Sequence, residues 1–147
     1  MAGNIYVGRF IVVLKTRSDS ILVGYRVSSR SFANRKIIRN ADVCSVVPIN
    51  QDEYKDNPYI SYNCLRITNN TLVVSNGSQT DSIIEKISMG YPVRDALASS
   101  LLILDYEKDK YNTPRIACVA DYQKGSATLA IIKPEKLEVR EIGRAHV

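Results

Sequence analysis

Alternation of apolar and polar positions dominates the first half of the chain. Between Ile5 and Lys15, the residues Tyr6, Val7, Phe10, Ile11, Val12, Val13 and Leu14 favour extended backbone. Ile21 to Val27 does the same after the turn-like Thr16-Arg17-Ser18-Asp19-Ser20, and the two runs predict a hairpin. Further strands are predicted over Asp42 to Ile49, closed by Pro48, over Tyr59 to Thr68 after an Asn57-Pro58 turn, and over Leu72 to Ser75 after an Asn69-Asn70 turn. Along 59–68 a period of two sets Tyr62 and Cys64, and by the same count Arg66, on one face.

The period changes after Asn76-Gly77-Ser78. Ser82-x-x-Glu85 reads as a capping box, with Asp81 adding negative charge at the positive end of a helix that Met89-Gly90 stops. Pro92 suits the first turn of a second helix, predicted to run to about Lys110, in which Ala96, Leu97, Ser100, Leu101 and Leu104 form one buried face. Arg115 to Asp121 and Ala127 to Ile132 return to strand around Gly125, and Leu137 begins another. Strands, two consecutive helices, then strands again predict an α+β fold with largely antiparallel pairing.

Composition narrows this only a little. A chain of 147 residues, 45% hydrophobic and 24% charged, is read as one soluble globular domain. Met1-Ala2-Gly3-Asn4 is not a signal peptide, and the longest apolar run, Ala96 to Leu104, is too short to span a bilayer. Cys44, Cys64 and Cys118 form no close-spaced pair, which suits reduced thiols in a cytoplasm. Glu141 to Val147, back-translated, matches the start of a common sequencing-adapter oligonucleotide, so 1–140 is taken as the domain, incomplete at its C-terminus, and 141–147 as a non-native tail. That tail holds His146, the sole histidine, so Ser-His and Cys-His catalysis and histidine metal ligation are not expected in the rest.

Four stretches carry candidate chemistry. Tyr25 to Lys36 holds four cations and three serines in twelve residues, a density of charged forks and hydroxyls that suits a phosphate. Asn57 to Arg66 brings together tyrosines, an asparagine, a thiol and an arginine; here Cys64 reads as a core residue rather than a nucleophile. Val74 to Asp81 joins a strand to a helix start through Gly77 and offers backbone N–H groups to an anion or carbonyl, or else is an ordinary capping loop. Leu104 to Lys110 places acids at the predicted negative end of the second helix, where a partly buried carboxylate would serve as a base.

Taken together, Tyr-Arg-Val-Ser-Ser-Arg-Ser-Phe-x-Asn-Arg at 25–35, Asn-Pro-Tyr-Ile-x-Tyr-Asn-Cys at 57–64, Val-Ser-Asn-Gly-Ser-x-Thr-Asp at 74–81 and Asp-Tyr-Glu-Lys-Asp with Asn-Thr-Pro-Arg-Ile-Ala at 105–117 closely resemble the archaeal-type IMP cyclohydrolases. The family start, Tyr-x-Gly-Arg, is present as Tyr6-Val7-Gly8-Arg9. The resemblance implies closure of the purine ring of 5-formamidoimidazole-4-carboxamide ribonucleotide, with loss of water, to give IMP. It implies a four-layer α/β/β/α sandwich like that of N-terminal-nucleophile hydrolases, without their terminal nucleophile, since Tyr6 opens the strand. It also implies no cofactor and no metal. The expected partner is a small purine ribonucleotide, with no nucleic acid and no membrane, and a homo-oligomer is compatible. Chemistry then assigns Tyr62 as donor to the formyl oxygen, Glu107 as proton acceptor and Arg35 as the stabilising cation. Arg26, Ser28, Ser29 and Arg30 are expected at phosphate and ribose. Asn63, Asn76 and Asp105 are expected to read the carboxamide and base edges, with Asn34, Tyr59 and Gly77 as further substrate contacts. The rival readings are a non-catalytic nucleotide- or RNA-binding module, disfavoured because the cations cluster beside carboxylates, and a hydrolase of the shared fold.

Overall fold

A computed structural model describes residues 6–50, 52, 57 and 59–142. Eleven elements follow one another: β1 (Phe10–Lys15), β2 (Ile21–Arg26), β3 (Arg35–Asn40), β4 (Val43–Pro48), β5 (Tyr62–Thr68), β6 (Thr71–Ser75), α1 (Gln79–Ser88), α2 (Val93–Leu104), β7 (Arg115–Asp121), β8 (Ser126–Lys133) and β9 (Lys136–Ile142). β1 and β2 form a two-stranded sheet, and β3 to β9 form a seven-stranded sheet in sequence order, antiparallel throughout. The α+β expectation with antiparallel pairing is met. Ile5, Pro58 and 143–147 lie outside the described residues, so the tail is described only through Glu141 and Ile142 of β9, and the first strand begins at Phe10 because 6–9 are irregular.

The large sheet is covered on both faces, which is why β6 reads Leu-Val-Val without alternation. Val73, Ala117, Val119, Ala130 and Ile132 face Ile83, Ile84, Ala96, Leu97 and Leu101 of the two helices. The intervening residues Leu72, Val74, Cys118, Ala120 and Ala127 face Ile11, Val13, Ile21 and Val23 of the hairpin. The described residues thus build three layers, helices on sheet on hairpin. The outer face of the hairpin exposes Phe10, Val12, Leu14 and Leu22.

Four local expectations are corrected. Residues 35–40, for which the pattern predicted no strand, pair with β4 as an edge strand, Arg35–Asn40. Arg66 does not share a face with Tyr62 and Cys64: β4 pairs Cys44 with Leu65 and Ser45 with Asn63, and the skipped Cys64 is a bulge that reverses the alternation beyond it. Arg66 therefore reaches Asp81 of α1, at 2.9 Å. α1 starts at Gln79, three residues before the expected capping box, and the Ser82 hydroxyl instead meets Ser100 of α2 at 2.9 Å. α2 ends at Leu104, because Asp105 turns into the left-handed region at φ 59°.

Cys64 and Cys118 are 1% and 0% exposed, and burial pushes each thiol up to about 12. An unfolded thiol titrates near 8.5, so above that pH the folded chain keeps protons the unfolded chain releases, and stability falls as pH rises. The slope is about 1.4 kcal/mol per pH unit for each thiol. Tyr25 and Tyr62, both raised by burial first, add to it in the same direction above about pH 10. Thermal melts from pH 8 to 11 are expected to show a steadily falling Tm; a flat profile would contradict this burial.

Candidate active site

Three irregular segments close over the hairpin side of the large sheet. They are 6–9 ahead of β1, 27–34 between β2 and β3, and 105–114 between α2 and β7. With Ile116 of β7 and Ile131 of β8 they line a cavity of about 600 Å³, within the range that holds a nucleotide-sized ligand.

At the centre of the wall is an ion pair. Arg9 donates from Nη1 to Glu107 Oε1 at 3.1 Å and from Nη2 to Oε2 at 3.0 Å, a bidentate fork, and Nη1 also donates to the Asn76 carbonyl at 3.2 Å. Burial works against the charge on Arg9, but the hydrogen bond and charge of Glu107 outweigh it and raise the guanidinium pKa. Glu107, 6% exposed, is not held by a helix end, as the sequence led us to expect. Its loop is pinned from both sides, because Arg115 Nε donates to the Asp105 carbonyl at 2.7 Å and Glu107 N donates to the Thr113 carbonyl at 2.9 Å. Asp109 completes the loop by accepting from the Thr113 amide and hydroxyl.

The lining also carries Ser28, Ser29, Arg30 and Ser31. Ser29 Oγ accepts from the amides of Ser31 and Phe32 at 3.2 and 3.1 Å, which orients the hydroxyl and leaves its hydrogen to donate. The Arg30 guanidinium lies 4.2 Å from the Tyr6 ring centroid and 5.1 Å from that of Tyr111, so its position is fixed by two aromatic faces. Lys108 adds a third cation to the lining.

Of the residues singled out from sequence, Ser28, Ser29, Arg30, Tyr59, Asn76 and Glu107 line this cavity. Tyr62 lies outside its lining, hydroxyl to hydroxyl with Tyr25 at 2.7 Å. Burial raises the Tyr62 pKa, while Tyr25, Arg9 and Arg35 each pull it down, so both guanidiniums bear on that hydroxyl. Arg35 donates from Nη1 to the Tyr59 carbonyl at 3.3 Å, and its Nε and Nη2 are buried without a hydrogen-bond partner. Arg26 sits over Phe10 at the end of β2, and Asn34 accepts the Ile49 amide through its carbonyl.

Three others face elsewhere. Asn63 bonds Ser45 and both oxygens of Asp81 on the helix side of the sheet. The Asp105 carboxylate is exposed, and Lys108 first and then the Tyr106 amide lower its pKa. Gly77 offers no anion cradle: its N–H goes to Ser75 Oγ. A Cβ at Gly77 would stand 2.6 Å from Gln79 Oε1 and 2.7 Å from Arg115 Nη1, so the glycine makes room for that buried pair.

Sequence reasoning assigned no role to Arg9, Tyr6 or Tyr111. Arg9 had been counted into a strand, although a lone arginine inside so apolar a run was itself a signal that it points at something. Among the described residues no group of three His, Cys, Asp or Glu side chains is placed to hold a metal ion.

The family model for IMP cyclohydrolase-like proteins matches residues 6–146. The IMP cyclohydrolase of Methanococcus aeolicus is 45% identical over 139 residues, covering 93% of this chain and 68% of the relative. That of Methanocella arvoryzae is 50% identical over 135 residues, covering 91% and 66%, and that of Natronomonas pharaonis 58% identical over 115 residues, covering 78% and 58%. The chain spans about two thirds of the length of the first two. With a match that takes in the Arg9–Glu107 pair, the serine rim and the loop that holds them, the chain belongs to the IMP cyclohydrolase family.

Proposed function

We propose that the cavity binds 5-formamidoimidazole-4-carboxamide ribonucleotide and closes its ring to IMP. The observation that carries this is the bidentate Arg9–Glu107 pair in a nucleotide-sized cavity that serine hydroxyls and Arg30 also line. The phosphate takes the rim, where Ser28, Ser29 and Arg30 supply oriented donors and charge. The heterocycle then reaches the Arg9 end.

The reaction forms one C–N bond and breaks one C–O bond. The carboxamide nitrogen attacks the formyl carbon and gives up a proton, while the carbonyl electron pair moves to oxygen. The former formamide nitrogen then loses its proton as the C=N bond forms, and the oxygen departs as water carrying both protons. The protein's acid and base therefore end as they began. Both reacting groups belong to one molecule, so holding them in attack geometry supplies much of the acceleration. Glu107 takes the amide proton, Tyr62 donates to the formyl oxygen, and Arg35 lends positive charge beside Tyr62. Asn76 and Tyr59 read the edges of the heterocycle.

The finer fold reading is a four-layer, N-terminal-nucleophile-hydrolase-like sandwich, supported by the exposed apolar outer face of the β1–β2 hairpin. Free Cys44, Cys64 and Cys118 support a cytoplasmic setting. The test is to incubate the chain with the formylated ribonucleotide and follow IMP by chromatography, with calorimetric titration of IMP alongside. IMP formation is expected; tight binding without turnover would favour the nucleotide-binding module instead.

A further inference from the structure

We infer that Arg9 is the cation that binds the formyl oxygen and stabilises the charge gathering on it during ring closure, a role the sequence had given to Arg35. The inference rests on the ring-closure reading and deepens it.

Three facts place Arg9 there. It lines the cavity, whereas Arg35 does not. It links the two groups that move protons, gripping Glu107 through both Nη atoms and bearing on the Tyr62 hydroxyl. Its grip is also incomplete in a useful way. Glu107 takes one hydrogen from each Nη and the Asn76 carbonyl takes another from Nη1, so the Nε–H and the second Nη2 hydrogen remain for the Tyr62 hydroxyl, with which Arg9 also hydrogen-bonds, and for a substrate oxygen beside it. Those two hydrogens form the side edge of the guanidinium, a fork that suits one oxygen. Because Glu107 and Asn76 already fix the plane of the group, little reorganisation is needed when charge appears. Arg35 also has an unpartnered Nε and Nη2, but it lies outside the cavity lining and spends Nη1 on the Tyr59 carbonyl, which suits a supporting charge.

The same arrangement says what happens in the attack step. As the carbonyl pair moves to oxygen, Arg9 meets the new negative charge and Tyr62 neutralises it with a proton. Each Glu107 oxygen still has a lone pair beyond the one bonded to Arg9, and takes the nitrogen's proton there.

The test compares Arg9→Lys, Arg9→Met and Arg9→Ala, with kcat, KM and IMP affinity measured for each. The expected result is a loss of kcat of roughly 10²- to 10³-fold in Arg9→Met with IMP affinity changed by less than about fivefold, the size seen when one preorganised donor to a developing oxyanion is removed. Arg9→Lys should recover part of the loss, since charge returns without the fork. Added guanidinium should restore turnover to Arg9→Ala, as expected where the lost group acts through its charge and its fork. Wild-type-like kcat in the Met variant, or equal losses in Met and Lys with no guanidinium rescue, would overturn the inference. If the unaltered chain makes no IMP, it is the ring-closure reading that fails, and the variants then report only on binding.

Discussion

Glu107→Gln is expected to lower turnover by roughly 10²- to 10⁴-fold while IMP affinity stays within a few-fold, the range typical of losing a positioned acid or base. The substitution keeps the shape and one acceptor but removes the charge and the ability to take a proton. One cost is separate from catalysis. The amide NH₂ would face an Arg9 Nη across about the same distance, donor against donor, so the bidentate grip becomes single and a largely buried cation is left undercompensated. A modest fall in Tm is therefore expected as well, and circular-dichroism melts should accompany the kinetics. The two effects separate by temperature, because a turnover defect that persists well below the melting transition belongs to chemistry. Turnover within twofold of the unaltered protein would remove Glu107 from proton transfer.

How much of this was legible in the sequence depended on where each residue's partner lies along the chain. β7 was read from its own pattern and occupies the expected span, Arg115–Asp121, because a strand buried on both faces announces itself through Ile-Ala-Cys-Val-Ala alone. β3 did not, because Arg35–Asn40 is an exposed edge with Ile37 and Ile38 adjacent, and only the backbone ladder to β4 makes it a strand. The end of α2 was missed for a similar reason. The helical pattern runs on past Leu104, but the Asp105 carbonyl is captured by Arg115, ten residues away. Ser82 resembled a cap, yet its hydroxyl is engaged by Ser100 and Lys86.

The site shows the same division. The serines and Arg30 form one continuous segment, so their density alone singled them out, and they line the cavity. Glu107 was found for a wrong reason, a helix dipole that does not reach it. Arg9 was passed over because its partner is 98 residues away, and no local pattern records such a pair.

Arg115→Met is expected to cost about 2–4 kcal/mol of stability and, below its lowered Tm, to reduce turnover as well. Arg115 is 7% exposed and joins a buried and a part-buried acceptor, donating from Nη1 to Gln79 Oε1 at 3.1 Å and from Nε to the Asp105 carbonyl at 2.7 Å. Methionine fills much of the volume but satisfies neither; the buried Gln79 oxygen left unpaired costs about 1–3 kcal/mol and the part-buried Asp105 carbonyl less. For a domain of this size a loss of that order lowers Tm by roughly 5–15 °C. The effect on turnover follows from where the second bond goes. The Asp105 carbonyl is the point at which the chain leaves α2 at φ 59°, and the next turn delivers Glu107 to Arg9. Gln79 in turn donates to Asn76 Oδ1 at 2.8 Å, and the Asn76 carbonyl holds Arg9. One buried guanidinium thus supports both halves of the Arg9–Glu107 ion pair from behind. Releasing it lets the pair shift, and a displacement of about 1 Å at a reacting centre costs on the order of 100-fold in rate. Arg115→Lys should restore one of the two bonds and recover part of both losses. A variant that melts early but turns over normally at low temperature would show that the Glu107 loop keeps its position without this support.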